Sequence, residues 1–222
     1  MSPLRSPTLS LRATGPLACF TRPELKVERV SYQVITPSAA RGLFEAILWK
    51  PAIRWCIERI HVLKPITFTS FRRNEVNSRA SSPTKAVISH GGDVTHYYAD
   101  EDRAQRNTVA LYDVDYVIDA YIAMTDKSGP SDNLTKFVDM FRRRVEKGQH
   151  FQQPYFGCRE FPAMIRPVND MPNPIDDTRD LGYMLWDIDY SANPPKPIFF
   201  PAELDHGVLH VPGESEILGG EM

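Results

Sequence analysis

PELKVERVSYQVITPSAARGLFEAILWKPAIRWCIERIHVLKPITFTSFRRNEV, residues Pro23–Val76, decides the fold, because it holds one helix with both ends marked and an extended run on either side. Thr36-Pro37-Ser38 starts the helix. The Thr36 hydroxyl can cap, and Pro37 sits in the first turn, where its missing N–H costs nothing. Ala40, Leu43, Phe44 and Ile47 recur at helical spacing, and Pro51 forbids continuation, so the pattern predicts a helix over 37–49. In the lead-in, Leu25, Val27 and Arg29 share one face while Lys26, Glu28 and Val30 share the other. Such mixed faces suit an extended segment lying on a surface. The run after Pro51 is rich in β-branched and aromatic residues and reads as strand, broken at Lys64-Pro65 and ending in Arg72-Arg73-Asn74.

Outside this stretch, residues 9–20 alternate as a first strand. Residues 70–107 are polar, contain Gly91-Gly92, and read as a long projecting hairpin. Order returns over 108–124 as a long strand with a bulge near Asp113–Asp115. Ser131-Asp132-Asn133 caps a second helix that runs to about Lys147, closed by Gly148, with Leu134, Phe137, Val138, Phe141 and Val145 as its apolar stripe. The proline-rich tail holds short strands at 155–165, 181–190 and 198–200, and a hairpin turn at Asp205-His206-Gly207. The order approximates β-α-β-β-α-β, which makes this an α+β chain on a ferredoxin-like or RRM-like plan.

Composition narrows the function classes. Hydrophobic residues make up 42% of the 222, enough for a real core, and no apolar run approaches the roughly 18 residues of a membrane helix. Cys19, Cys56 and Cys158 are odd in number and widely spaced, which argues against a disulfide framework and for a reducing cytoplasm. No metal site and no cofactor fingerprint is expected: His90 and His96 lie in a glycine-bearing loop without a clear third ligand. The net charge of −2 hides an asymmetry. Residues 1–80 carry 13 Lys+Arg against 5 Asp+Glu, and residues 81–222 carry 13 against 23. That division suits a basic face for phosphates and an acidic part turned elsewhere.

Candidate RNA contacts follow from residue type and spacing. Lys26, Arg29 and Tyr32 lie along the extended lead-in, Arg41 is one turn into the first helix, and Lys50 follows its end. Arg72, Arg73 and Asn74 offer two guanidinium forks and an amide at a strand end, and Arg103 and Arg106 form a similar group with Gln105 and Asn107. Single-stranded RNA is held by such combinations of cation, ring and amide.

The segment LKVERVSYQVITPSAARGLFEAILWKPAIRW with its RRNEV continuation resembles the Cas-five subunit, subtype d, of type I-C CRISPR Cascade. Further matches are YYADEDRAQRNT, DNLTKFVDMFRRRVEKGQHF and QPYFGCREF, spaced over nearly the whole chain. The resemblance implies an RRM-like domain over 11–148 with a β-hairpin thumb at about 70–107, and a small C-terminal β subdomain with an acidic tail over 149–222. It also implies binding of the repeat-derived 5′ handle of CRISPR RNA, metal-independent cleavage of the precursor, and partners among the backbone and large subunits of Cascade, with target DNA near the complex end. In some members the cleavage groups are a Tyr just before Trp-Lys-Pro on the first helix and a Lys-His pair on the second. Here these positions read Leu48 and Lys136-Phe137. Lys136 is therefore expected to stabilise the phosphorane, with His150 or Tyr155 as the substitute general base or acid. The alternatives are a scaffold that only holds the handle and a ferredoxin-like enzyme acting on a small molecule.

Overall fold

The computed structural model describes residues 5–25, 27–91 and 96–219. Its elements, in chain order, are β1 (Leu9–Ala18), β2 (Arg29–Val30), α1 (Pro37–Ile47), β3 (Ile53–Val62), β4 (Phe68–Val76), α2 (Lys85–His90), β5 (Arg103–Met124), α3 (Leu134–Glu146), β6 (Met164–Pro167), β7 (Arg179–Asp189), β8 (Lys196–Asp205), β9 (Val208–His210) and α4 (Glu214–Leu218). The main sheet runs β6-β1-β5-β3-β9-β8-β7 and is antiparallel at each junction described by its register, with β2 and β4 added to β5 off that path. The protein is thus a mixed α/β structure built on one large, mainly antiparallel sheet.

Helix α1 begins as its sequence dictates: Pro37 follows Thr36, whose hydroxyl accepts from the Ala39 N–H at 3.3 Å. It stops at Ile47, two residues before the expected end. The physical reason lies in the last carbonyls. The Ile47 carbonyl accepts from the Arg144 guanidinium and the Leu48 carbonyl from the Trp55 indole N–H, while Leu48 itself is extended at φ −145°. Helix α3 is capped by Asn133, which accepts from the Lys136 N–H at 2.9 Å, and buries Phe137, Val138, Phe141 and Val145. The two helices meet the sheet through Phe44, Trp55 and Phe141, whose ring centroids lie 4.7–5.4 Å apart. These rings and Leu11, Ile118 and Ile122 form the centre of the core.

Strand β5 is longer than its sequence alternation suggested, 22 residues instead of 17. Its C-terminal half pairs with β1 and β3; its N-terminal half pairs with β4 from Phe68↔Leu111 to Val76↔Arg103. Asp113, at φ 53°, marks the bend between the halves, and an Asp tolerates that conformation better than most residues. Elsewhere the lead-in forms only the two-residue strand β2, and the expected strand over 155–165 reduces to a Tyr155↔Pro162 bridge before β6. His206 and Gly207 form the predicted hairpin turn, at φ 44° and 76°.

The sheet face away from the helices carries a buried polar cluster. Asp119 accepts from Ser10 Oγ at 2.6 Å and pairs with His61 at 3.0 Å and Arg59 at 2.9 Å. Burial pushes the Asp119 carboxyl up, but the bonds from His61 and Ser10 and the Arg59 charge outweigh it and hold it below its ordinary range. A carboxylate with a depressed folded pKa stabilises fully above its unfolded value, near pH ~4, and the contribution disappears as pH falls through the folded value. Urea unfolding at pH 7 and at low pH should therefore show wild type losing more stability than Asp119→Asn. The substitution itself should cost about 1–3 kcal/mol at pH 7. Equal losses on acidification would show that the cluster does not titrate with folding.

Candidate nucleic-acid interface

The β4/β5 ribbon sorts its side chains by strand alternation, so residues directly opposite share a face. Arg72↔Asn107, Asn74↔Gln105 and Val76↔Arg103 are opposite pairs, and all six residues are exposed. Arg72 donates to Gln105 and Asn107 at 3.4 Å each, which aligns two amides and two guanidinium groups on one open surface. Arg73 and Arg106 are opposite each other on the other face. The expected Arg72-Arg73-Asn74 cluster is therefore split. Arg72 and Asn74 point outward with Arg103, whereas Arg73 turns towards the body.

On that inner face Arg73 and Arg29 share one carboxylate. Glu160 accepts from both guanidinium groups, at 3.1 Å from Arg29, and Arg29 also pairs with Glu75 on the ribbon at 3.3 Å. The Arg73 guanidinium lies 5.2 Å from the Phe71 ring centroid and 5.7 Å from that of Phe161. Burial pushes Glu160 up, but the Arg73 hydrogen bond and the two arginine charges outweigh it and hold the carboxyl below its usual range. Arg29 and Arg73 thus join the lead-in, the ribbon and the 155–162 loop at one point. The sequence marked both as RNA contacts; the structure gives them protein partners.

Other candidates are similarly redistributed. Lys26 lies outside the described residues. Tyr32 is buried, its ring covered by the Arg22 guanidinium at 4.7 Å, so stacking on a base is closed to it. Arg41 forms a two-pronged pair with Asp187 on β7 and lies 3.6 Å from Glu45. Arg106 is half-exposed and donates to Asn77 at 3.1 Å. Arg72, Asn74, Arg103 and Lys50 remain exposed.

The three catalytic candidates line three different clefts. Lys136 borders one of about 300 Å³ with Lys50 and Lys127, and its ammonium pairs with Asp132 at 3.3 Å. Asp132 is held below the usual carboxylate range by the Gly129 N–H first and then by Lys136. His150 borders a cleft of about 320 Å³ with Arg144 and Arg166. Tyr155 borders a third with Arg41 and Asp187. Leu48 is fully buried and Phe137 is 2% exposed, so both are ordinary core. Among the described residues no group of three or more His, Cys, Asp or Glu could hold a metal ion, and no helix is long and apolar enough to cross a membrane.

The family described as CRISPR-associated protein (Cas_Cas5) has a model that matches residues 8–212. This chain belongs to the Cas5d family. It is 50% identical over 213 residues to the CRISPR pre-crRNA endoribonuclease Cas5d of Mannheimia succiniciproducens, covering 92% of this chain and 94% of that protein. It is 37% identical over 224 residues to the protein of the same name from Thermus thermophilus, with 93% and 92% covered. The fold also resembles the crystal structure of a CRISPR-associated protein, with a TM-score of 0.70 at 19% identity over 98% of this chain and 97% of that one. A functionally uncharacterized protein from Streptococcus mutans has the same TM-score at 20% identity, with 97% of each chain covered.

Glu160 and Glu75 are the residues of this Cas5d-family site that sequence reasoning missed. Glu160 is 131 residues from Arg29, so no local spacing could reveal the pairing. Glu160→Gln should loosen the base of the ribbon. Hydrogen exchange at the β4 amides and at residues 103–107 is expected to speed up, with global stability falling by less than about 1 kcal/mol because the groups are partly exposed. Unchanged exchange would show that the shared carboxylate does not hold the ribbon.

Proposed function

We propose that this chain is an endoribonuclease that binds the repeat-derived 5′ handle of CRISPR RNA and processes the precursor. The observation that carries this is the 50% identity, over 92% of the chain, to a protein named as a pre-crRNA endoribonuclease. The exposed ribbon face supports it on physical grounds: Arg72 and Arg103 supply phosphate forks, and Asn74, Gln105 and Asn107 supply amides for base edges. In this reading the β6-β1-β5-β3 sheet with its two crossover helices is an RRM-like domain, and the ribbon is its thumb. Residues 11–148 form that domain and residues 149–222 the small acidic subdomain, with β6 crossing back to pair with β1. Residues 11–148 carry 21 Lys+Arg against 16 Asp+Glu and residues 149–222 carry 4 against 12, which favours RNA on the first part and protein on the second. The backbone and large subunits of type I-C Cascade, with target DNA near the complex end, are the partners that follow, in the cytoplasm.

Cleavage by 2′-OH attack needs no metal: a base takes the hydroxyl proton, a cation meets the charge on the phosphorane, and an acid protonates the leaving 5′-oxygen. Lys136 is the cation, reinforced by Lys50 and Lys127 around the same cleft. His150 or Tyr155 exchanges the protons. A second reading, a scaffold that only holds the handle, is favoured by one observation: the positions where some relatives carry Tyr and His are the buried Leu48 and Phe137.

Purified protein incubated with its own repeat RNA in EDTA separates the two. A discrete cut, slowed roughly a hundredfold by Lys136→Ala, is the expected result. RNA that stays intact while binding tightly would establish the scaffold instead.

A further inference from the structure

Two aromatic rings near the end of α1 are largely uncovered by the described residues. Leu48 is extended, so Leu48 and Trp49 point to opposite sides of the backbone: Leu48 goes into the core and Trp49 is 61% exposed. The chain leaving α3 returns to the same place, because the Phe151 N–H donates to the Ala46 carbonyl at 2.8 Å. Its ring is 91% exposed, more than any other large apolar side chain described. The backbone beneath both rings is held. Arg144 donates to the Ile47 carbonyl and Trp55 to that of Leu48, so the rings are presented from a tied surface.

The chain neighbour of each ring lines a basic cleft: Lys50 follows Trp49, and His150 precedes Phe151. Lys50 and Lys136 border the first cleft, and Arg144 and His150 border the second, which Ile47 also lines. Asp132 is the carboxylate within the first cleft, and Lys136 already pairs with it. Exposed rings beside basic clefts suit a chain with stackable bases and a phosphate backbone better than they suit an apolar protein surface. We infer that Trp49 and Phe151 form a stacking platform for unpaired bases of the RNA, with Lys50 and Arg144 on the adjoining phosphates. The inference rests on the RNA-processing function proposed above and adds to it a binding site at the opposite end of α1 from Arg41. Lys136 and His150, which border separate clefts, come to serve one RNA strand laid across the two rings.

Binding of single-stranded repeat RNA, followed by fluorescence anisotropy across a salt series, tests the platform. Trp49→Ala and Phe151→Ala should each weaken binding about tenfold with the salt slope unchanged, because stacking releases no counterions. Trp49→Phe and Phe151→Tyr, which keep a ring, should bind within about twofold of wild type. Lys50→Ala should instead reduce the slope by about one. Both rings are exposed, so thermal melting of the alanine variants should match wild type and exclude misfolding as the cause. If the alanine variants bind like wild type, the platform is wrong while the functional proposal stands, and the rings belong to a protein contact. If wild type itself fails to bind repeat RNA, both readings fall together.

Discussion

One strand carries two structures. The C-terminal half of β5 is the centre of the core sheet, and its N-terminal half is one rail of the β4/β5 ribbon. Tyr116–Ala120 is paired on both sides, by β1 and β3, and Asp113, at φ 53°, lies between the stretch paired with β3 and the stretch paired with β4. The direction of the ribbon is therefore set by the core. The shared Glu160 carboxylate closes the triangle by tying the ribbon to the loop before β6 through Arg73, and to the lead-in through Arg29. Two positive side chains that the sequence offered to phosphate hold the ribbon in place instead.

That division of labour explains which parts of the molecule were legible in the sequence. Helix α1 was written locally, in Thr36, Pro37 and the apolar spacing, and α3 in Asn133 and its stripe. The mixed strand and helix character followed from these, while β2 and α2 interrupt the expected β-α-β-β-α-β order. The end of α1 was not legible, since the side chains that take its last carbonyls, Trp55 and Arg144, come from other elements. The protein partners of Arg29 and Arg41 and the burial of Tyr32 were not legible, for a related reason. Their partners Glu160 and Asp187, and the enclosure that buries Tyr32, exist only after folding. Alternation alone could have divided Arg72 from Arg73, because adjacent strand residues face opposite ways.

The residues at the two positions where the family resemblance implied Tyr and His have a plain physical place. Leu48 and Phe137 are not exposed substitutes in an open site but buried members of the core. What stays accessible at that end of α1 is Lys136, Lys50 and two uncovered rings.

Ultraviolet cross-linking of the repeat RNA to the intact protein, with the linked peptides identified by mass spectrometry, tests this arrangement most directly. Cross-links are predicted at Trp49 and Phe151 and along the outer face of the ribbon around Arg72 and Arg103. Cross-links confined to the acidic β7/β8 region, through the exposed Tyr183 and Tyr190, would contradict it.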